Sequence, residues 1–160
     1  ALLRATQIAG AAATLLGRTV EHARERQQFG RALANFQVIQ HNLAGLAEQV
    51  AVAEAATRQA WQAMEHGLRA ARWWRDARLL AAVAKAATSR IAGEVAATAH
   101  QVHGAMGFTR EHGLHHLTRR LWSWRAECGT AAHWEEQLGA WALRRGGAGL
   151  WADLTAVTDR

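Results

Sequence analysis

Through most of this 160-residue chain, apolar residues recur at three- and four-residue steps, the spacing that gathers them on one face of an α-helix. Leu3, Ile8, Leu15 and Val20 mark a first helix from about residue 2 to about residue 28, with Gly30 as its stop. Phe36, Ile39, Leu43, Leu46, Val50, Ala53, Trp61, Met64 and Leu68 form one stripe that only the Thr57 hydroxyl interrupts, predicting a long second helix and a turn around Gly67. Leu80, Val83, Ala87, Ile91, Val95 and Val102 carry a third helix to the two glycines of "HGAMGF". Leu114, Leu117, Leu121, Trp124, Cys128, Ala131, Trp134, Leu138 and Trp141 carry a last pair, interrupted at residues 128–130. The pattern predicts an all-α, up-down antiparallel bundle of four to five helices over residues 1–145, followed by a loosely ordered tail over 146–160.

Composition reinforces the fold class. Proline is absent and alanine abundant, so the chain lacks the strongest helix breaker and is rich in the best helix former. Nineteen Lys and Arg against thirteen Asp and Glu leave a net charge of +6, nearly all of it arginine, which suits planar contacts to phosphate or carboxylate. The single cysteine, Cys128, rules out an internal disulfide and makes a reducing cytoplasm the default location. No apolar run is long enough to span a bilayer. The chain opens within a helical pattern and without an initiating Met, which suggests that it follows something longer.

Three groups of residues bear on chemistry. His100 and His103 are three apart and His112 and His116 four apart, spacings that metal pairs use. Gly113 interrupts the second pair and no carboxylate completes a ligand set, so no metal is expected. Cys128 with His133 five residues on has poor spacing for a nucleophile and base, and on an apolar stripe it reads as a small buried hydrophobe. The tryptophans and arginines of "RWWRDAR" and "RRLWSWR" suit subunit contacts, or rings packed along the bundle with exposed edges. Nucleic acid is the other anionic partner to weigh, but the arginines alternate with glutamates along all the helices instead of forming one stripe.

Two segments carry a resemblance. "ARERQQFGRALANFQVIQHNLA" resembles the Arg-x-x-Phe-Gly turn and following Phe-Gln of the acyl-CoA dehydrogenase C-terminal domain, and "AHQVHGAMGFTREHGLHHLTRR" resembles that family's Gln-x-x-Gly-Gly turn and the Thr-x-Glu after it. The order and separation of the two suit the family, and "EHGLHH" looks most like a bacterial branch that includes sterol-side-chain and related CoA-ester dehydrogenases. The resemblance implies a bundle that supplies oligomer contacts, as a dimer or tetramer of like or unlike subunits, and part of an FAD site shared between neighbouring subunits. It implies that Arg26 faces the pyrophosphate, that Gln28 and Phe29 line the nucleotide, that Phe36 and Gln37 flank it, and that Gln101 and Gly104 meet the adenosine end, with Thr130 also among the cofactor contacts. Guanidinium chemistry and close backbone approach at glycine fit those roles.

In this family a glutamate takes the α-proton of an acyl-CoA thioester while hydride leaves the β-carbon for flavin. Laid against the family's Glu-Gly-Thr segment, "RRLWSWRAECGT" puts Cys128 at the glutamate position, with Gly129 and Thr130 matching. Glu127 is one residue off, about 100° around a helix. Other members carry the base on the first helix of this domain, at a position just before Ala1, so the catalytic residue is open: Glu127 as a candidate if the register slips, a carboxylate before Ala1, or one from a partner subunit. Further departures are Ala32 for a proline, Ala105 for the second glycine of its pair, and Ala132 for a glutamine. The resemblance thus implies the C-terminal domain of an acyl-CoA dehydrogenase, inactive in isolation. The alternatives are a non-catalytic subunit or assembly module of such a complex, and a basic helical bundle that binds nucleic acid or acts as an adaptor.

Overall fold

The computed structural model describes residues 1–69 and 73–158, and within these the side chains of all but 67–69, 73–76, 154 and 156–158. Five helices dominate: α1 Leu2–Glu25, α2 Gln37–Arg69, α3 Trp73–His103, α4 Leu114–Trp124 and α5 Ala131–Thr158. Between α1 and α2 lie two short antiparallel strands, β1 Gln27–Gln28 and β2 Arg31–Ala32, and a 3-10 turn over Leu33–Asn35. A second 3-10 segment, Gly104–Phe108, links α3 to α4. Among the described residues no helix is long and apolar enough to cross a membrane.

The core follows the stripes. Ile8 and Leu15 of α1, Leu46 and Val50 of α2, Ile91 and Val95 of α3, and Leu114 and Leu121 of α4 form one buried cluster, with alanines between them that let the helices approach closely. Buried Thr19, Thr57 and Thr88 return their hydroxyls to the carbonyls of Leu15, Ala53 and Ala84 at 2.6, 2.9 and 2.7 Å, so none is left unpaired in the apolar interior. The helix α3 packs against the other four, so its burial spreads beyond one stripe: Ala82, Ala84, Lys85, Ala86, Thr88 and Ser89 are all covered, while Val83 is partly exposed.

Several expectations change. The first helix stops at Glu25, because Arg26 is already extended (φ −72°, ψ 122°) and leads into the strand pair. Trp61 lies outside the core with its indole N–H donating to Thr6 Oγ1 at 2.8 Å, and the smaller Ala60 is buried instead. The expected turn around Gly67 is not where α2 ends, since the helix continues to Arg69; the link to α3 lies outside the described residues. The tail expected to be loosely ordered is helical to Thr158 beyond a break at Gly146 (φ 67°, ψ 166°), and Arg145 and Asp153 pair across that break at 2.5 and 2.6 Å.

Two contacts mark opposite ends of the bundle. His22, near the end of α1, stacks on His103 at the end of α3, with ring centroids 4.3 Å apart. Arg4, near the start of α1, pairs with Glu127, just past the end of α4. The 18 residues from Arg4 to His22 place these ends roughly 27 Å apart at the helical rise.

Candidate functional site

The first turn is a tight hairpin. Gln27 pairs with Ala32 and Gln28 with Arg31, leaving Phe29 and Gly30 as a two-residue loop with both φ values positive, 52° and 79°. That is the backbone of a type I′ turn, and glycine fits its second position without strain while phenylalanine does not fit the first. The strained Phe29 ring is 92% exposed and meets Phe36 edge to face at 6.3 Å, while the Arg31 guanidinium lies 4.0 Å over Phe36. Leu33 N–H donates to Arg26 O at 2.8 Å and closes the base of the hairpin. Arg26, Gln28 and Gln37 are exposed and Phe36 half-buried, and among the described residues the Arg26 guanidinium has no ion-pair partner.

The second turn ends α3. Gln101 is exposed, and Gly104 (φ 59°) turns the chain into the 3-10 segment with open space where a side chain would stand. Ala105, expected to crowd a ligand, is also exposed. His22 lies one helical turn before Arg26 and stacks on His103, between Gln101 and Gly104 in sequence. Arg26, Gln28, Phe29, Phe36, Gln37, Gln101 and Gly104 therefore share one end of the bundle.

Thr130 does not join them. It lies at the opposite end and caps α5, its Oγ1 accepting from His133 N–H at 3.2 Å. Nearby, Glu127 is held by Arg4 and by Ser123, whose hydroxyl donates to it at 3.0 Å. Cys128, expected to be a buried hydrophobe on a helical stripe, is exposed and left-handed (φ 59°) in a break between α4 and α5. Residues 125–130 are not a continuous helix, so the helical rotation expected to aim Glu127 away from the position of Cys128 does not operate. Gly129 (φ 98°) is required in this break: an added Cβ would sit 2.5 Å from Trp134 Nε1.

Lys85 is a buried anchor that no sequence motif marks. Its ammonium donates to Ser89 Oγ at 2.5 Å, Gly129 O at 2.8 Å and Arg125 O at 3.1 Å, pinning the break to α3. Burial pushes its pKa below the ordinary value, with Arg4 adding to the effect. The one available signal is a lone charge inside the alanine-rich run "LLAAVAKAATS".

The histidine pairs suggested by spacing separate. His100 bonds Thr118 Oγ1 at 3.0 Å and stacks on Phe108, while His116 faces His115. His103 instead meets His22 from α1 and His112 from the loop before α4. Burial pushes the His103 pKa down to about 4, so its ring is neutral at neutral pH. A cleft of about 530 Å³ opens beside this group, lined by Arg18, Glu21, Glu25, His116 and Arg120 among others.

The family profile described as "Acyl-CoA dehydrogenase, C-terminal domain" matches residues 1–143. The chain belongs to the acyl-CoA dehydrogenase family. Over 120 residues it is 34% identical to acyl-CoA dehydrogenase IpdE2 of Mycobacterium tuberculosis, covering 75% of this chain and 34% of that protein. Its fold matches butyryl-CoA dehydrogenase from Megasphaera elsdenii with a TM-score of 0.79 and 27% identity, over 87% of this chain and 34% of that one. The FAD complex of PigA matches with a TM-score of 0.76 and 25% identity, over 87% and 34% of the two chains. The chain thus spans about a third of the length of these acyl-CoA dehydrogenase relatives.

Proposed function

We propose that this chain is the nucleotide-holding and oligomerising part of an FAD-dependent acyl-CoA dehydrogenase that forms an α,β-unsaturated acyl-CoA in the cytoplasm. The observation that carries the reading is the convergence of the two turns, far apart in sequence, at one end of the bundle. There a guanidinium without an ion pair among the described residues, exposed glutamines, an exposed aromatic tip and open-sided glycines suit a dinucleotide: Arg26 for pyrophosphate, Phe29 and Phe36 for a flat ring, and Gly104 for close backbone approach. FAD, when bound, accepts the hydride from the substrate's β-carbon. This chain's residues bind and orient it.

Thr130 enters the same reading from the opposite end. A bundle that touches one cofactor at its turns and another at the α4–α5 break is what a flavin shared across a subunit contact requires. With Glu127 committed to Arg4 and Ser123, and Cys128 in the place of the family's glutamate, the carboxylate that takes the α-proton comes from outside residues 127–128. The same two observations favour a second reading, a non-catalytic subunit that supplies only the nucleotide half-site and the contacts.

Absorbance of the native protein, purified with whatever chain or partner completes it, separates these. Bound FAD that bleaches with an acyl-CoA supports the enzyme, and bound FAD that does not bleach supports the non-catalytic subunit. Absence of flavin, with Arg26→Ala making no difference to the protein's properties, removes both and leaves the basic bundle that binds nucleic acid or acts as an adaptor. Arg26→Ala is expected to weaken FAD binding roughly 10- to 100-fold, the loss of one charge-assisted contact of about 1.5–3 kcal/mol. Unchanged affinity would remove Arg26 from the site.

Self-association follows from exposed apolar surface. Trp122 is 48% exposed with the Arg125 guanidinium 4.0 Å over its ring, and Leu143 and Trp151 of α5 are also exposed. Trp73 and Trp74, the other proposed contact, lie outside the described side chains. Sedimentation is expected to show a dimer or larger species, and a strictly monomeric mass at every concentration would contradict it.

A further inference from the structure

We propose that His22, His103 and His112 form a binding site for one zinc-class divalent cation, which ties the ends of α1 and α3 to the loop before α4. Each ring offers a nitrogen, and the three nitrogens lie within 4.8 Å of one another. His103 shows how the group is set up. Its Nδ1–H donates to the Ala99 carbonyl at 2.7 Å, and a carbonyl can only accept, so Nε2 carries the lone pair. That Nε2 is buried and makes no hydrogen bond, and neither does buried Nδ1 of His112. Two buried polar nitrogens without partners in one cluster are costly, and a cation that accepts lone pairs satisfies both. A ligand histidine whose other nitrogen is fixed by a backbone carbonyl is the usual supporting arrangement at metal centres.

Three imidazole nitrogens suit zinc, and also copper and nickel, in preference to calcium or magnesium, which take oxygen ligands. With metal–nitrogen distances of about 2.0–2.1 Å, tetrahedral binding brings the nitrogens to roughly 3.3 Å apart. Closing from separations of up to 4.8 Å requires side-chain rotation of half-buried His22 and His112, which turns the His22 ring off its stack and edge-in toward Nε2 of the fixed His103 ring. His22 and His112 border the cleft, which leaves a fourth position open to water, and Glu21 and Glu25 line the same cleft beside Arg18 and Arg120. Neither sequence-spaced pair contains this set, since its members come from three separate segments.

The site is structural and sits under the two turns, so its test does not depend on turnover. Native protein stripped with a chelator and titrated with Zn²⁺ alone is expected to bind one equivalent per chain and to melt at a higher temperature with metal than without. His22→Gln and His112→Gln, which alter half-buried rings and leave the helical circular dichroism intact, are expected to weaken that binding by more than about 100-fold, beyond what loss of a supporting contact costs. His133→Gln, at the other end of the bundle, leaves it unchanged. Flavin absorbance followed in the same samples keeps loss of metal distinct from loss of cofactor. Wild-type protein that takes up no stoichiometric Zn²⁺ would overturn the proposal, as would uptake unchanged in the His22 and His112 variants or abolished only by changing His115 and His116.

Discussion

Lys85→Ala is expected to lower stability by about 4 kcal/mol, a large share of what holds a native domain together. The ammonium is fully buried and holds the carbonyls of Arg125 and Gly129 together with the Ser89 hydroxyl. A buried acceptor left unpaired, here the Ser89 hydroxyl, costs about 1–3 kcal/mol, the part-buried carbonyls of Arg125 and Gly129 less, and truncation of a long buried side chain adds a cavity penalty. Relief of the ammonium's desolvation offsets part of this. Native domains hold only about 5–15 kcal/mol in total, and for a chain of this size each kcal/mol moves the melting temperature by about 2–4 °C. A drop of about 8–16 °C in thermal melting is expected, with Lys85→Met roughly half as severe because it keeps the volume. A melting temperature within about 2 °C of wild type would show that the carbonyls rehydrate freely and that Lys85 does not pin the break.

The same residue predicts a pH dependence. Burial sets the folded pKa of Lys85 below its ordinary value of 10.5. Between those two values the unfolded chain binds more protons than the folded one, so this group makes stability rise with pH across that window, up to the unfolded value. Lys85→Met removes that rise. The direction is opposite to that of a lysine stabilised by an ion pair, and melting curves through the alkaline range distinguish the two.

What the sequence exposes and what it hides divides along local and non-local lines. The second helix and the break at residues 128–130 are legible because a stripe of Leu46, Val50 and Ala53, or a glycine with positive φ, acts over a few residues. The hairpin at Phe29 is legible only through its resemblance: two-residue strands are too short to show alternation, and Phe-Gly is not a usual pair for a type I′ turn. Trp61 follows the stripe and still lies outside the core, because the Thr6 hydroxyl offers its N–H a partner at the surface. Thr130 matches a family motif, and the structure adds a helix-capping role that motif matching does not show. The histidine group and the Lys85 clamp are missed for one reason. Both join a helix to segments distant in sequence, and the spacing of neighbours within one helix carries no information about which segments meet it.

Gly107→Val tests whether packing under the second turn controls the proposed nucleotide site above it. Gly107 is buried in the 3-10 segment, and an added Cβ would lie 2.9 Å from His103 Cβ, 3.1 Å from Leu114 Cδ2 and 3.3 Å from His100 Nδ1. The nearest of these is attached directly to the backbone of α3, so the conflict is not relieved by swinging a side-chain tip; the 3-10 segment and the end of α3 must part. Overpacking of this kind costs about 1–3 kcal/mol, and the branched valine falls at the upper end. Displacement of His103 carries Gln101 and Gly104 with it, so native protein bearing Gly107→Val is expected to lose both several degrees of melting temperature and most of its flavin. Gly104→Ala is the contrasting case. It has open space for a methyl, and only its left-handed backbone (φ 59°) resists, at a cost of about 1–2 kcal/mol. Equal flavin loss in the two variants would point to Gly104 itself, through its left-handed backbone or the methyl's intrusion on the nucleotide; loss in Gly107→Val well beyond that in Gly104→Ala assigns control to the packing of the 3-10 segment against α3.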